Sequence, residues 1–368
     1  MTVGFFSPLP PARTGVADYS AALLQELRKT GRVDIAPARC DVALYQTGNN
    51  ALHAEIYRRA LEQPGIAVIH DAVLHHFLLG QLDERQYIDE FVFNYGEWHR
   101  QLARELWHAR ASSASDPRYF EYPLLRRMAE RSLAVIVHNP AAATVVRKHA
   151  PGAPVIEIPH LHEPAPRLMG AEIERYRQNL GVPSDWFLFG VFGYLRETKR
   201  VAQIVDAFTQ LRRERPNTAL LLAGDFVSRD LERAMLPLLG RPGIVRKPYL
   251  PDHEFWLAAS CVDACINLKY PAAGETSGIA IRLMGLAKPV LLTASPESAR
   301  YPDDACLRIP AGPAERPSLL HHMRLLTAMP SVAREIGRRA AAHILTHHDI
   351  ARVAGMYWAA LYESRVVL

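Results

Sequence analysis

Residues 264–293 read ACINLKYPAAGETSGIAIRLMGLAKPVLLT. The first five, 264–268, are short and apolar, as a strand buried on both faces is. The loop after them holds Gly274, Glu275, Thr276, Ser277 and Gly278, and Thr276 and Ser277 are residue types that begin helices. A helical stretch follows, and the apolar run 289–293 closes the segment. Strand, helix, strand in this order makes the two strands parallel neighbours joined by a crossover.

Working outward, the same alternation fills the chain. Short runs rich in Val, Ile and Phe recur at 3–7, 41–45, 65–70, 134–138 and 155–159, then at 187–192, 218–224, 244–247, 264–268, 289–293 and 306–310. Amphipathic stretches such as 18–28 and 85–109 lie between them. The expected fold class is α/β, with two doubly wound domains. The boundary is expected within 160–185, which carries Pro164, Pro166 and Pro183 and a polar helical part at 170–179. The end of the chain, 331–368, reads as mostly helical. Two domains facing each other form a cleft, and ligands of open parallel sheets bind at the carboxyl ends of the strands.

Composition narrows the class. The 368 residues are 49% hydrophobic and 22% charged, enough apolar material for sizeable cores and too much for disorder. No stretch approaches a membrane span, and the first thirteen residues lack the apolar core of a signal peptide, so a cytoplasmic protein is expected. Cys40, Cys261, Cys265 and Cys306 are too few and scattered for a disulfide framework, and Cys261 with Cys265 lacks a second ligand pair for zinc. His343 and His347 have H-x-x-x-H spacing, but Ile344 stands where a zinc protease needs glutamate. The excess of 43 basic over 38 acidic residues, net +5, suits phosphorylated small molecules, anionic membrane surfaces or polyanions without choosing among them.

Three loops carry the chemistry. Thr276 and Ser277 open a helix whose free N–H groups form an anion site, and Gly278 lets a ligand approach the backbone. Glu275 just before it suits hydroxyls beside the phosphate; the plainer alternative is a carboxylate favouring the helix dipole. In FGVFGYLRETKR, 189–200, a strand runs into Gly193 and Lys199 opens the next helix, with Arg196 and Arg200 beside it. These cations face a phosphate or form a solvated face. In SPLPPARTGVADYS, 7–20, Gly15 precedes a helix expected to begin near Asp18, either as a second phosphate contact or as an ordinary turn. No G-x-G-x-x-G is present, which argues against NAD or FAD.

In their order along the chain these segments resemble the retaining glycosyltransferases of family 4. The likeness extends to VIVHN at 135–139, EIPH at 157–160, ALLLAGD at 219–225, PYLPDHEF at 248–255 and AKPVLL at 287–292. GNN at 48–50 with His53, and VIHDAVLHH at 68–76, resemble a bacterial subgroup associated with cell-surface polysaccharides. The resemblance implies the GT-B fold: two facing Rossmann-like domains, a cleft between them and a C-terminal helix crossing back. It implies an acceptor-side domain over 1–165, a donor-side domain over 185–345, and a returning helix over 346–368.

By the same resemblance Lys199 matches the lysine that binds the donor diphosphate. Tyr194 stands where an arginine usually accompanies it, and Arg196 is the candidate substitute. Glu275 resembles the first glutamate of a pair, the one that in the family touches the donor sugar. The second, seven residues on, is absent, with Arg282 and Leu283 in its neighbourhood. His70 matches a histidine facing the donor sugar, so catalysis is expected of His70, Lys199 and Glu275. Gly15, Gly193, Arg196, Leu250, Thr276, Ser277, Gly278 and Ile279 are expected to bind the donor, with Leu250 at the nucleobase, and Asn49, Asn50 and His53 to bind the acceptor.

The implied activity is transfer of a sugar from a nucleotide diphosphate sugar to a glycan or glycolipid hydroxyl, with retention, no metal and no cofactor. No nucleic-acid partner is expected, and weak peripheral association with an anionic membrane is. A degenerate nucleotide- or glycan-binding protein and a nucleotide-sugar epimerase are the alternatives.

Overall fold

A strand covered on both faces sends alternate side chains into two separate apolar layers, and both sheets of this protein are built that way. The computed structural model describes residues 1–365. In the first half β1 (Thr2–Phe6), β2 (Arg32–Ile35), β3 (Val42–Thr47), β4 (Ile66–Ile69), β5 (Ala134–Val137) and β6 (Val155–Glu157) form a parallel sheet in the order β2-β1-β3-β4-β5-β6. Ile66 and Val68 of β4 face the helices Gly15–Leu27 and Ile350–Arg365, through Leu23, Leu27, Tyr357 and Leu361. Ala67 and Ile69 face the other way, toward Phe77, Phe91 and Leu106.

The second half repeats the design with β7 (Phe187–Phe192), β8 (Thr218–Ala223), β9 (Ile244–Lys247), β10 (Ala264–Asn267), β11 (Val290–Thr293) and β12 (Leu307–Ile309). Their order is β12-β11-β10-β7-β8-β9, again parallel throughout. Leu220 and Leu222 of β8 pack with Phe208 and Met323, while Ala219 and Leu221 pack with Trp256 and Met284.

The chain divides into two compact units. One comprises Met1–Leu161, Pro271–Thr276 and the chain from His348; the other comprises His162–Tyr270 and Ser277–His347. The proline-bearing stretch after Leu161 thus belongs to the second unit, where an 185–345 domain had been expected to begin later. Its helix Gly170–Asn179 is fastened there by Arg177, whose guanidinium donates to the Cys261 carbonyl at 2.7 Å and to Asp263 at 3.2 Å. The helical tail is two helices, Pro330–His347 in the second unit and Ile350–Arg365 in the first. Residues 366–368 of the expected 346–368 helix lie outside the described residues.

Two details differ from the sequence reading. Strand β2 is not among the expected runs, because it pairs only with β1 and buries Val33 while leaving Ile35 49% exposed. The stretch 85–109 is not one helix: Glu84–Tyr95 stops at Gly96, whose φ of +89° suits glycine, and a turn Glu97–His99 leads into Arg100–His108.

Helices Gly15–Leu27 and Ile350–Arg365 share one buried polar contact, Tyr19 Oη to Tyr357 Oη at 2.8 Å. Tyr357→Phe leaves the Tyr19 hydroxyl buried without that partner and should cost about 1–3 kcal/mol. The double change Tyr19→Phe with Tyr357→Phe removes both polar groups and should recover most of that loss. Urea unfolding of the single and double variants checks both statements.

Candidate functional site

In the second unit β7 and β10 are neighbours in the sheet but not in the chain, so strand order reverses between them. Loops leaving their carboxyl ends diverge and open a crevice, the usual ligand position of an open parallel sheet. Gly193 follows β7 with φ +81°. At the end of β8, Gly224 has φ +144°, and a Cβ there would lie 2.1 Å from the Gly193 carbonyl oxygen. Both positions require glycine, and together they draw the two strand ends close.

Lys199 ends the short turn Glu197–Lys199, one step before Arg200 and the helix Val201–Glu214 rather than at the helix start expected for it. Its Nζ donates to the Phe192 carbonyl, bringing the ammonium back to the end of β7. A Cβ on Gly193 would lie 3.6 Å from both Lys199 Nζ and Ile279 Cγ1, so lysine, glycine and the next helix start share one corner. Burial, with Lys269 and then Arg196 as like charges, lowers the Lys199 pKa to about 8.

Arg200, expected as a third cation, is instead a strut. It adopts a left-handed φ of +59°, and its Nε donates to both carboxylate oxygens of the buried Glu315, at 2.9 and 3.1 Å. That ion pair offsets the strain of a non-glycine residue in this region and holds the turn that carries Lys199.

Ser277 alone caps the helix Gly278–Gly285; Thr276, also expected as a cap, does not. The Ser277 hydroxyl accepts from Ala280 N at 3.2 Å and from Asn267 Nδ2, at the end of β10, at 2.9 Å. The N–H groups of Gly278 and Ile279 stand at a helix start where no intrahelical acceptor exists, on the corner that Lys199 occupies. Leu250 packs on the second-unit core, and its neighbour Tyr249 is tied by its N–H to Asp225 at 3.0 Å. Arg196 is exposed, 6.0 Å from the Tyr194 ring centre. Sequence reading overlooked Lys269, a base two residues past a central strand, which was the signal available.

The first unit reverses strand order between β1 and β3. Gly15 begins the helix Gly15–Leu27, earlier than expected, with open space where a Cβ would sit and no side-chain cap from Thr14. The residues expected for the acceptor have internal partners. Asn49 Oδ1 accepts from Phe77 N at 2.6 Å, its own N–H donates to Asp71 at 3.0 Å, and Asn50 Oδ1 accepts from Leu52 N at 3.0 Å. His53 is buried, and its Nδ1 donates to the Gln46 carbonyl at 3.0 Å.

His70 stands at the end of β4 in a chain of hydrogen bonds whose direction can be deduced. Ile158 offers His138 Nδ1 only a carbonyl oxygen, at 3.0 Å, so that nitrogen carries a hydrogen. Neutral His138 then presents Nε2 as an acceptor, and His70 Nδ1 donates to it at 3.2 Å. His70 Nε2 is thereby a lone pair, 2.8 Å from the Gln46 carboxamide, whose Nε2 otherwise has no partner. The lone pair requires a donor, so the amide turns its NH2 to the ring. Burial keeps both rings neutral, lowering His70 well below the usual histidine value and His138 to about 4. Tyr19 packs edge-on against His70 at 4.8 Å and His160 at 4.7 Å. Gln46, His138 and Tyr19 were not singled out from sequence.

The segment Pro271–Thr276 also lies in the first unit. Gly274 has φ +75°, and a Cβ on it would come within 2.6 Å of the Ala72 Cβ. Glu275 Oε2 accepts from Ala273 N at 2.6 Å, and Asn139 Nδ2 donates to the Gly274 carbonyl at 2.9 Å and the Thr276 hydroxyl oxygen at 3.0 Å. Among the described residues, no three His, Cys, Asp or Glu side chains are gathered as metal ligands would be, and no helix is long and apolar enough to cross a membrane.

No family model and no curated protein matches the chain in sequence. Solved structures match it in fold. Sucrose-phosphate synthase from Thermosynechococcus elongatus superposes with a TM-score of 0.68 at 16% identity, over 99% of this chain and 100% of that one. HepE of Anabaena in complex with UDP-glucose gives 0.66 at 14%, over 99% and 100%. WaaG, a glycosyltransferase involved in lipopolysaccharide biosynthesis, gives 0.63 at 14%, over 96% and 99%. At such identities the likeness is one of fold, and the chain has the α/β GT-B fold, with two parallel six-stranded sheets and flanking helices.

Proposed function

We propose that this protein is a retaining, metal-independent glycosyltransferase of the family 4 kind, taking a sugar from a nucleoside diphosphate to a hydroxyl of a glycan or glycolipid. The observation that carries the reading is the corner at β7 and β10, where the Lys199 ammonium, Gly193 and the start of the helix Gly278–Gly285 converge. Cation and helix N–H groups in one partly buried crevice suit an anion with several oxygens. The HepE structure of the same fold holds UDP-glucose, which supports a nucleotide-sugar donor.

The chemistry follows from charge. Breaking the bond between the anomeric carbon and the diphosphate oxygen builds negative charge on the phosphate and positive charge on the ring. Lys199 and the helix amides oppose the first, and one such preorganised donor is typically worth ~3 kcal/mol. Arg196 and Lys269 add to the field. In a same-face reaction the acceptor oxygen forms the new bond as the phosphate leaves, and the acceptor's proton passes to a phosphate oxygen. Glu275 accepts hydrogen bonds from donor-sugar hydroxyls, and Leu250 lies toward the nucleobase. His70, with both ring nitrogens engaged, contributes shape and a neutral dipole rather than a proton. The GNN loop and His53 belong to the acceptor side, and a peripheral position at the inner face of an anionic membrane suits a polysaccharide or lipid-linked acceptor.

A second reading, binding without turnover, is favoured by one observation. Arg282, where the second glutamate of the resembled family would lie, sits over the Phe255 and Trp256 rings at 5.4 and 5.7 Å. Thermal shift with UDP-, GDP- and ADP-sugars, followed by transfer and hydrolysis assays on the donor that stabilises most, separates the two readings. Stabilisation without turnover selects the binder, and no stabilisation by any of them overturns both.

Lys199→Ala should lower kcat/KM about a hundredfold, the scale of one lost electrostatic stabiliser. Its pKa near 8 adds a pH signature. A bound diphosphate favours the charged amine, so binding at pH 8 to 9 should take up a proton, and affinity should fall as pH rises through 8. Calorimetry in buffers of different ionisation enthalpy reads that proton, and Lys199→Arg should abolish its uptake. Unchanged turnover in Lys199→Ala would assign the lysine to structure alone.

Glu275→Gln separates sugar contact from helix-end electrostatics. Affinity for the free nucleoside diphosphate should stay within a fewfold while transfer falls by about two orders of magnitude. A melting curve lowered by ~0.3–1 kcal/mol of stability with intact transfer would instead make Glu275 a dipole partner only.

A further inference from the structure

We infer that Asn139 is a positioning residue for Glu275, holding the loop that carries it in working register. The inference rests on the transferase reading above for its meaning, though not for its geometry. Asn139 lies two residues past β5 and is 3% exposed. Its Oδ1 accepts from Ala142 N at 2.8 Å and so caps the helix Pro140–His149. A cap needs nothing more than an oxygen, and Asp, Ser or Thr would serve. Asparagine alone among these carries an NH2 on the far side of the same group, and that NH2 reaches the loop Pro271–Thr276.

Its two contacts bracket the carboxylate. Asn139 Nδ2 donates to the Gly274 carbonyl at 2.9 Å and to the Thr276 hydroxyl oxygen at 3.0 Å, one residue on either side of Glu275. The amide orientation is settled by its partners: turned over, the oxygen would face a carbonyl and the NH2 an N–H. The helix fixes the amide, and the amide fixes the loop. The Ala273 N–H to Glu275 bond lies within the loop itself, and the close fit of Gly274 against Ala72 is steric and acts on one side only. Asn139 also follows directly on His138, so the same strand end that orders the His70 chain orders the Glu275 loop.

The loop belongs to the first unit although β10 before it and the helix Gly278–Gly285 after it belong to the second. Its position is therefore not a by-product of the elements next to it in sequence. A bond across 135 residues of chain holds it. A carboxylate gripping sugar hydroxyls must be placed to within a few tenths of an ångström, whereas the diphosphate corner around Lys199 has its own supports.

Asn139→Ser and Asn139→Asp keep the capping oxygen and remove the NH2, the first without adding charge. Asn139→Ser should stay folded with a modestly lower melting temperature, Asn139→Asp should melt lower because its carboxylate faces the Gly274 carbonyl, and both should bind nucleoside diphosphate with unchanged affinity. Their kcat with the best donor should fall about tenfold or more, with little change in donor KM. Amide hydrogen exchange at residues 272–276 should quicken by about tenfold in each. Asn139→Ala loses cap and latch together and should also melt earlier.

Unaltered exchange in Asn139→Ser overturns the latch, whatever the activity. Faster exchange with full kcat overturns the positioning role. If the unaltered protein transfers from no donor, the transferase reading fails, and the exchange measurement still decides whether Asn139 holds the loop.

Discussion

A sheet whose strands all run one way sends every carboxyl end, and every loop leaving it, to a single edge. Both sheets here obey that constraint, and each reverses its strand order once, between β1 and β3 and between β7 and β10. At a reversal adjacent loops leave for opposite faces, so helices cannot cover the ground between them. Gly193, Lys199, Lys269 and Ser277 follow strand ends in one unit; Asn49, His70, His138 and Asn139 do so in the other. The fold thus gathers polar groups from distant parts of the chain at the ends of its strands.

The two edges solve opposite electrostatic problems. Lys199 is buried at one edge with Lys269 and Arg196 near it, and burial first, then repulsion from those two cations, lowers its pKa. Burial and like charge both disfavour the charged amine there, and an anion at that corner would favour it. The histidine chain at the other edge is neutral. From Ile158 through His138 and His70 to Gln46, each donor has one acceptor and the direction of every bond is set. Such a chain contributes rigidity and orientation in place of field. The strain at Arg200 belongs to the first problem: a left-handed turn brings the lysine back over its own strand, and Glu315 holds that turn.

What could be read from sequence follows the same physics. Eleven of the strands announce themselves as apolar runs, most plainly the central ones, which are buried on both faces. Arg32–Ile35 does not, because Arg32 and Asp34 alternate with its two apolar residues at the edge of the sheet. Gly193, Lys199 and the GETSG loop were legible because glycine, a base and capping residues at a strand end have few other reasons to occur together. Arg200 looked like a ligand cation until Glu315, 115 residues away, proved to be its partner. Gln46 and His138 stand at the ends of strand-like runs with no motif to mark them, and the order of bonds that gives them meaning is a property of three dimensions. Asn49, Asn50 and His53 were visible as polar residues, but their internal partners were not.

One feature of polar residues at strand ends recurs and explains why capping positions organise this molecule. A helix start leaves N–H groups that need an acceptor, so the side chain that supplies it is held in a single orientation. Whatever remains of that side chain's hydrogen-bonding capacity then points in a known direction. Ser277 accepts from its helix at Ala280 and has its hydroxyl oxygen left to join Asn267 of β10. Asn139 accepts from Ala142 and has two donors left for the loop around Glu275. Serine suffices where a single oxygen must serve two donors. Asparagine is needed where an acceptor on one side must be matched by donors on the other. The choice between them, invisible to helix propensity, is therefore set by what lies beyond the helix.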